Sequence, residues 1–321
     1  MFASFIRNLF ARPQPDDTSL KREAFAAYER GQYPAALELT QRALSRSPSD
    51  PELTAQLAWC RMRLGERGEA RRLAQAALAL DEDALQAHKL LSEIELPGEY
   101  YVSLLARIQG LLRPQTYVEV GVSAGKSLRL VRPGTAAIGV DPAPKIDFEL
   151  PANARVFRET SDDFFARHDV KAELGGKPVE LAFIDGMHLF EFALRDFINL
   201  ERHSAPGGAI LIHDCYPLDA PTSARERRTV FWAGDVWRVI AALRKHRPDL
   251  NVHTLDSPPS GLGLITGLDP ASRVLGERYD EIVSEFMALD YAAIAPRKAQ
   301  LLNLTSSNWA NVTGLLGAER A

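Results

Sequence analysis

From Val102 onward, apolar runs of strand length alternate with helical stretches. The runs are "TYVEVGV", "TAAIGVD", "ARVFRE", "VELAFID" and "GAILIHD"; between them lie "KSLRLV", "SDDFFARH" and "LFEFALRDFINLERH". Adjacent parallel strands need a long crossover, usually a helix. The alternation therefore predicts an α/β fold, a parallel sheet with helices on both faces. Sheets of this kind bind ligands beyond the carboxyl ends of their strands. That rule directs attention to Gly121, Asp141, Glu159 to Ser161, Asp185 and Asp214. Three of these ends are Asp, which turns alone do not require.

The part before Val102 has a different period. Gly31, Ala36, Ala43 and Leu44 recur 34 residues later as Gly65, Ala70, Ala77 and Leu78. The period and the small residues at helix crossings resemble the tetratricopeptide repeat, two antiparallel helices per unit. Pro48 and Pro51 punctuate the boundary, and "LQAHKLLSEIEL" reads as a capping helix. The expected organisation is a segment over 1–16, helical repeats over 17–97, and an α/β domain with a helical extension over 98–321. The opening "MFASFIRNLFAR" places Phe2, Phe5, Ile6, Leu9 and Phe10 at helical spacing opposite Arg7 and Arg12. It reads as a short docking helix or as a peripheral contact with a membrane or partner.

Composition narrows the function classes. The chain has 321 residues and a formal net charge of -4, so no global basic field points to nucleic acid. Two distant cysteines, Cys60 and Cys215, give no disulfide framework and favour a reducing, cytoplasmic setting. No apolar run has the length of a transmembrane helix.

The first loop, "GVSAGKS", looks like a phosphate-binding P-loop, but only three residues separate Gly121 from Gly125. The P-loop needs four. The dinucleotide pattern G-x-G-x-x-G fails as well, which disfavours an NAD-dependent oxidoreductase. What stands is E-x-G-x-x-x-G-x-S, formed by Glu119, Gly121, Gly125 and Ser127, followed by Asp141 at the next strand end. Here the sequence resembles the class I S-adenosylmethionine (SAM) methyltransferases. The resemblance implies a Rossmann-like sheet, mostly parallel with its last strand antiparallel. It implies that the glycines admit the methionyl part of SAM and that a following helix N-terminus faces its carboxylate. It also implies Asp141 at the ribose, and Thr160 and Ser161 near the adenine. Helix capping is the structural alternative for Asp141 and Ser161.

"FIDGMHLFEFALRDFINLERHSAPGGAILIHDCYP" resembles the small-molecule and sugar O-methyltransferase branch of that class, methyltransferase type 24. The likeness spans most of residues 100–270. A hydroxyl acceptor needs a general base or a metal that lowers its pKa. Asp185 and Asp214 end adjacent strands, and such a carboxylate pair suits Mg²⁺ or another divalent ion. His213 stands where acid-rich relatives carry a second acid, which admits a softer ion or none. His188 is the candidate base, its alternative being a helix cap. Asp185, His188 and Asp214 thus form the expected catalytic set, with Asp185 also beside the cofactor. Asp185, Asp214 and His213 form the expected metal set. Asp196 reads as structural, and no triad of two His and one carboxylate stands out. Arg225, Arg227 and Arg228 on the next loop are candidates for an acidic acceptor, and Trp232 for shaping its pocket. The acceptor is expected to be a small hydroxylated molecule or glycan, with the repeats taking a protein partner or a second copy. The rival is an inactive methyltransferase-fold scaffold working through its repeats.

Overall fold

In a computed structural model, the chain is described over residues 17–317, so the amphipathic segment expected at 1–16 lies outside the described residues. It divides into two compact units, split between Ile94 and Glu95.

The first unit is built of helices α1 (Asp17–Glu29), α2 (Tyr33–Arg46), α3 (Pro51–Arg63), α4 (Arg67–Leu80) and α5 (Leu85–Glu95). They form two antiparallel pairs and a cap, as the 34-residue period predicts. Gly31 and Gly65 both have positive φ, 73° and 86°, and turn the chain between the helices of each pair. The repeated alanines Ala36, Ala43, Ala70 and Ala77 are buried, where a larger side chain would separate the helices. Pro51 opens α3, and the Asp50 side chain accepts from the Leu53 amide as its cap.

The second unit begins with α6 (Tyr101–Leu112) and is centred on one eight-stranded sheet. Its strands are β1 (Thr116–Val120), β2 (Ala136–Val140), β3 (Ala154–Phe157), β4 (Val179–Ile184), β5 (Ser204–His213), β6 (Asn251–Leu255), β7 (Leu262–Thr266) and β8 (Leu304–Thr305). The order is β3-β2-β1-β4-β5-β7-β6-β8. β3 through β5 run parallel, and β7 pairs antiparallel with both β5 and β6. Two-sided burial explains the near-continuous apolar strands. Val118, Val120, Ala182, Ile184, Ile210 and Ile212 point into one core, with Phe190 and Phe197 of α9 (Phe190–Arg202). Tyr117, Leu181, Phe183, Ala209 and Leu211 point the other way, onto Leu104, Leu105 and Ile108 of α6. Each fully buried side chain of this size contributes about 1.5–3 kcal/mol.

One element departs from the sequence reading. No α-helix follows the glycine loop; "KSLRLV" forms a single 3₁₀ turn, Leu128–Leu130. The stretch is short and Pro133-Gly134 ends it, so a costly helix nucleus has too few residues to repay. The helix N-terminus expected to face a cofactor carboxylate is therefore absent there. α7 (Ser161–Arg167), α8 (Val170–Glu173) and α10 (Trp237–His246) complete the helices on the crossovers.

Candidate active site

The reversal of strand order lies between β1 and β4, whose ends are stitched closely together. The Asp185 amide donates to the Val120 carbonyl at 2.8 Å, and the Gly121 amide to the Val140 carbonyl at 2.9 Å. Gly121 has φ +86°, and a methyl group on it would overlap the Asp185 carbonyl oxygen. Both facts require glycine there. The glycine loop is thus pressed directly against the first residue of the reaction end.

Asp141 holds the loop from the β2 side. Its Oδ2 accepts from the Val122 and Ser123 amides at 2.9 and 2.7 Å, and its Oδ1 from the Ala143 amide at 2.7 Å. Glu119 holds it from beneath. Fully buried, it accepts from the Tyr117 hydroxyl and the Ser127 hydroxyl, both at 2.7 Å. Burial pushes the Glu119 carboxyl up to about 8, and these two donors only partly offset the rise. Glu119 and Ser127 are therefore engaged with each other. Gly125 has φ +71°, and a Cβ there would lie 3.0 Å from the Phe148 ring and 3.2 Å from Ile146. At the β3 end, Thr160 rather than Ser161 caps α7, accepting from the Asp163 amide. Asp196 is buried in α9, near Gly186, with its Oδ1 lacking a hydrogen-bond partner.

At the ends of β4 and β5 four polar side chains converge. His188 Nδ1 lies 3.0 Å from Asp214 Oδ2, and His188 Nε2 lies 3.3 Å from Asp185 Oδ1. His213 Nδ1 lies 3.2 Å from Asp185 Oδ1 and 3.4 Å from Asp214 Oδ2. The structure thus brings together the two imidazoles and two carboxylates named from the sequence as candidate catalytic and metal sets. Burial opposes charging either imidazole, but the carboxylates outweigh it and raise His188 to about 11 and His213 to about 10. The imidazoles in turn overcome burial and hold the Asp214 carboxyl far below the usual range, and Asp185 moves the same way. The 3.0 Å approach of His188 Nδ1 and Asp214 Oδ2 is not aligned as a hydrogen bond, so these two buried atoms meet as an ion pair alone. His188 and Asp214 also have positive φ, 56° and 60°, a conformation uncommon outside glycine that Asp and His enter more readily than most residues.

Neighbours that the sequence did not single out fix this cluster. Ser260 donates its hydroxyl to Asp214 Oδ1. Tyr101 stacks on the His213 ring with centroids 3.9 Å apart. Ser260 sits in "SPPSG", which reads as an ordinary turn, and no local signal links it to Asp214. His188 does not cap α9; its carbonyl accepts from the Asp235 amide at 3.2 Å. The buried Asp235 carboxylate instead accepts from the Phe190 amide at 2.7 Å. Its other oxygen accepts from Arg225 at 2.8 Å and Arg238 at 2.9 Å.

The residues expected at the acceptor part ways. Arg225 is committed to Asp235 and, through two bonds, to Glu191, so it ties the loop down instead of offering a free guanidinium. Arg228 is exposed and lies 3.8 Å from Glu226. Trp232 stacks on His188, with ring centroids 5.3 Å apart. A divalent ion has three candidate donors: Asp185, His188 and Asp214, one atom each, all within 4.8 Å. His188 Nδ1 and Asp214 Oδ2, buried and without an aligned hydrogen bond, fit such a group, and His213 borders it.

Comparison with known families agrees with this layout. Residues 118–215 match Methyltransf_24, a methyltransferase domain, and residues 27–94 match a tetratricopeptide repeat. The chain joins tetratricopeptide repeats to a methyltransferase domain. The matched part of the methyltransferase domain runs from β1 to the residue after Asp214 and contains the glycine loop, Asp141, Asp185, His188 and His213. Among solved structures, cofactor-bound Rv0187 from MTB is 18% identical, covering 60% of this chain and 93% of its own, with TM-score 0.42. The O-methyltransferase TomG from Streptomyces achromogenes, in complex with SAM, is 15% identical over 52% and 78%, with TM-score 0.39. An O-methyltransferase from Bacillus cereus in complex with SAH is 14% identical over 52% and 80%, with TM-score 0.36. No curated protein matches the chain. Among the described residues, no helix is long and apolar enough to cross a membrane.

Proposed function

We propose that this protein is a SAM-dependent O-methyltransferase whose acceptor hydroxyl meets the Asp185, His188, His213 and Asp214 cluster. One observation carries the reading: the contact of Gly121 with Asp185 sets a glycine loop directly beside that cluster. Gly121, Gly125 and Asp141 form the proposed seat of the methionyl and ribose parts. Thr160 and Ser161 stand at the β3 end, on the proposed adenine side. Glu119 and Ser127 support the loop from below, out of reach of a ligand. Bound there, SAM would supply an electrophilic methyl group on a sulfonium.

The chain's own residues do the rest. The cluster orients the acceptor hydroxyl and takes up its proton. His188 is the candidate base and acts in its neutral form, which the two carboxylates disfavour at neutral pH; neutralising either carboxylate brings the imidazole down toward its ordinary value. Asp185, His188 and Asp214 would hold a divalent ion, and their imidazole content favours a borderline ion over Mg²⁺. Such an ion would lower the pKa of the hydroxyl. The repeats offer a surface for a protein partner or a second copy. Calorimetry with SAM tests the core claim: the intact protein binds and Asp141→Ala binds more weakly. Absence of binding by the intact protein would refute it.

A further inference from the structure

On the methyltransferase reading above, we propose that Arg225 is a positioning residue: it latches the loop from Thr222 to Gly234 onto α9 and so sets the pose of His188. The loop closes on itself. At its neck the Thr222 carbonyl accepts from the Ala233 and Gly234 amides at 3.0 and 3.2 Å. Inside it, Trp232 Nε1 donates to the Ala224 carbonyl and the Thr229 hydroxyl to the Phe231 carbonyl, both at 2.6 Å. A loop with its ends together and its own side chains packed inside is a compact body. One anchor can therefore place all of it.

Two parts of this body meet His188. The Trp232 indole lies on the imidazole with the ring planes 18° apart. At the neck Gly234, with φ +62°, runs so close to the His188 carbonyl oxygen that a Cβ would overlap it. The next residue, Asp235, brackets His188 from both sides along the chain. Its amide donates to the His188 carbonyl at 3.2 Å, and its carboxylate accepts from the Phe190 amide at 2.7 Å. The ring face and the backbone of His188 are thus both set by the loop and its neck.

Arg225 joins these parts. Its guanidinium makes two bonds to Glu191, at 2.6 and 2.9 Å, and a third to Asp235 at 2.8 Å, with Met287 Sδ 3.4 Å away. Glu191 stands in the first turn of α9, the helix that follows His188. One planar fork therefore ties loop, neck and helix together, a span that the point charge of a lysine does not reproduce. The other guanidinium groups of the loop stay within it. Arg227 donates to the Thr229 and Val230 carbonyls, and Arg228 faces Glu226. Losing Arg225 does not orphan the buried Asp235 carboxylate, which keeps Arg238 at 2.9 Å. The fold survives that loss, while the indole is free to leave the imidazole. A base held in the wrong pose loses rate even when its chemistry is intact.

The test uses the full chain with labelled histidine rings, followed by NMR at neutral pH, with His188→Gln to assign the His188 signals. In the unmodified chain, Overhauser contacts join the His188 and Trp232 rings. Arg225→Ala should lose these contacts and shift the His188 signals, and Arg225→Lys should restore them only in part. Glu226→Ala, at an exposed position in the same loop, should leave them in place. Calorimetry with S-adenosylhomocysteine, which reads the glycine loop, should give wild-type affinity in all three variants. Unshifted His188 signals with intact contacts in folded Arg225→Ala would overturn the proposal. So would loss of both S-adenosylhomocysteine binding and the urea transition in the two Arg225 variants, since Arg225 would then serve the fold alone. Failure of the unmodified chain to bind S-adenosylhomocysteine would remove the methyltransferase reading, and with it the reaction that this pose serves, whatever the His188 signals show.

Discussion

Replacing Glu119 by glutamine should make the protein more stable at neutral pH, although it replaces a fully buried carboxyl beneath the glycine loop. Glu119 is fully buried, and its carboxyl is raised from 4.5 to about 8, chiefly by burial. A group raised in the folded state contributes stability that is complete below its unfolded value. That contribution is lost as pH climbs through the folded value. The window here runs from 4.5 to about 8. At 1.36 kcal/mol per pKa unit, the loss reaches about 3 kcal/mol by pH 7 and about 5 kcal/mol above pH 8. Glutamine keeps the shape, and the Tyr117 and Ser127 hydroxyls can each donate or accept. Glu119→Gln should therefore match the wild type within about 1 kcal/mol near pH 5 and exceed it by several near pH 8. Urea unfolding at several pH values reads the difference. Trp232, Trp237 and Trp309 report on the sheet unit, and a Trp59→Phe background removes the signal of the repeats. Identical pH dependence in the two proteins would refute the reasoning, and so would a variant that loses ground as pH rises.

Other outcomes follow from the same geometry. Asp235→Ala removes the carboxylate that pairs with buried Arg238 and caps the Phe190 amide, and should cost about 3–5 kcal/mol in urea unfolding. Gly121→Ala forces a methyl into the Asp185 carbonyl at positive φ; it should lower the urea midpoint and abolish S-adenosylhomocysteine binding in calorimetry. Asp214→Asn removes a carboxylate that raises His188, so the imidazole should titrate below about 11, followed by ring-proton NMR. If the metal reading holds, chelator lowers turnover and calorimetry shows Mn²⁺ binding that Asp214→Ala removes; full activity in chelator would discard it.

How much was legible in the sequence depended on how local the cause was. The strands were legible because two-sided burial makes them continuous apolar runs, and Gly31 and Gly65 because a turn needs positive φ. The strand-end rule placed Asp141, Asp185 and Asp214 just beyond β2, β4 and β5, where they lie. The missing helix after Gly125 shows the limit, since helix-forming residues in "KSLRLV" were outweighed by shortness and Pro133. Arg225 failed differently. A charge run does not reveal which guanidinium is spent on partners such as Glu191, 34 residues away. Ser260 and Tyr101 reach the cluster only through folding, from 46 residues beyond Asp214 and from α6. Long-range pairing of this kind leaves no periodic trace in one sequence.

The left-handed backbone at His188 and Asp214 has a consequence for how this site can change over time. Beyond glycine, that conformation is entered readily by Asn, Asp and His, and only at a cost by β-branched or bulky residues. Two of the four converging positions therefore draw from a very small alphabet before any chemistry is considered. Drift or directed evolution at these positions would pass through Asn or Gly far more easily than through Val or Ile. Change here is thus more accessible at Tyr101 and Trp232, the rings that stack on His213 and His188, than at these two positions.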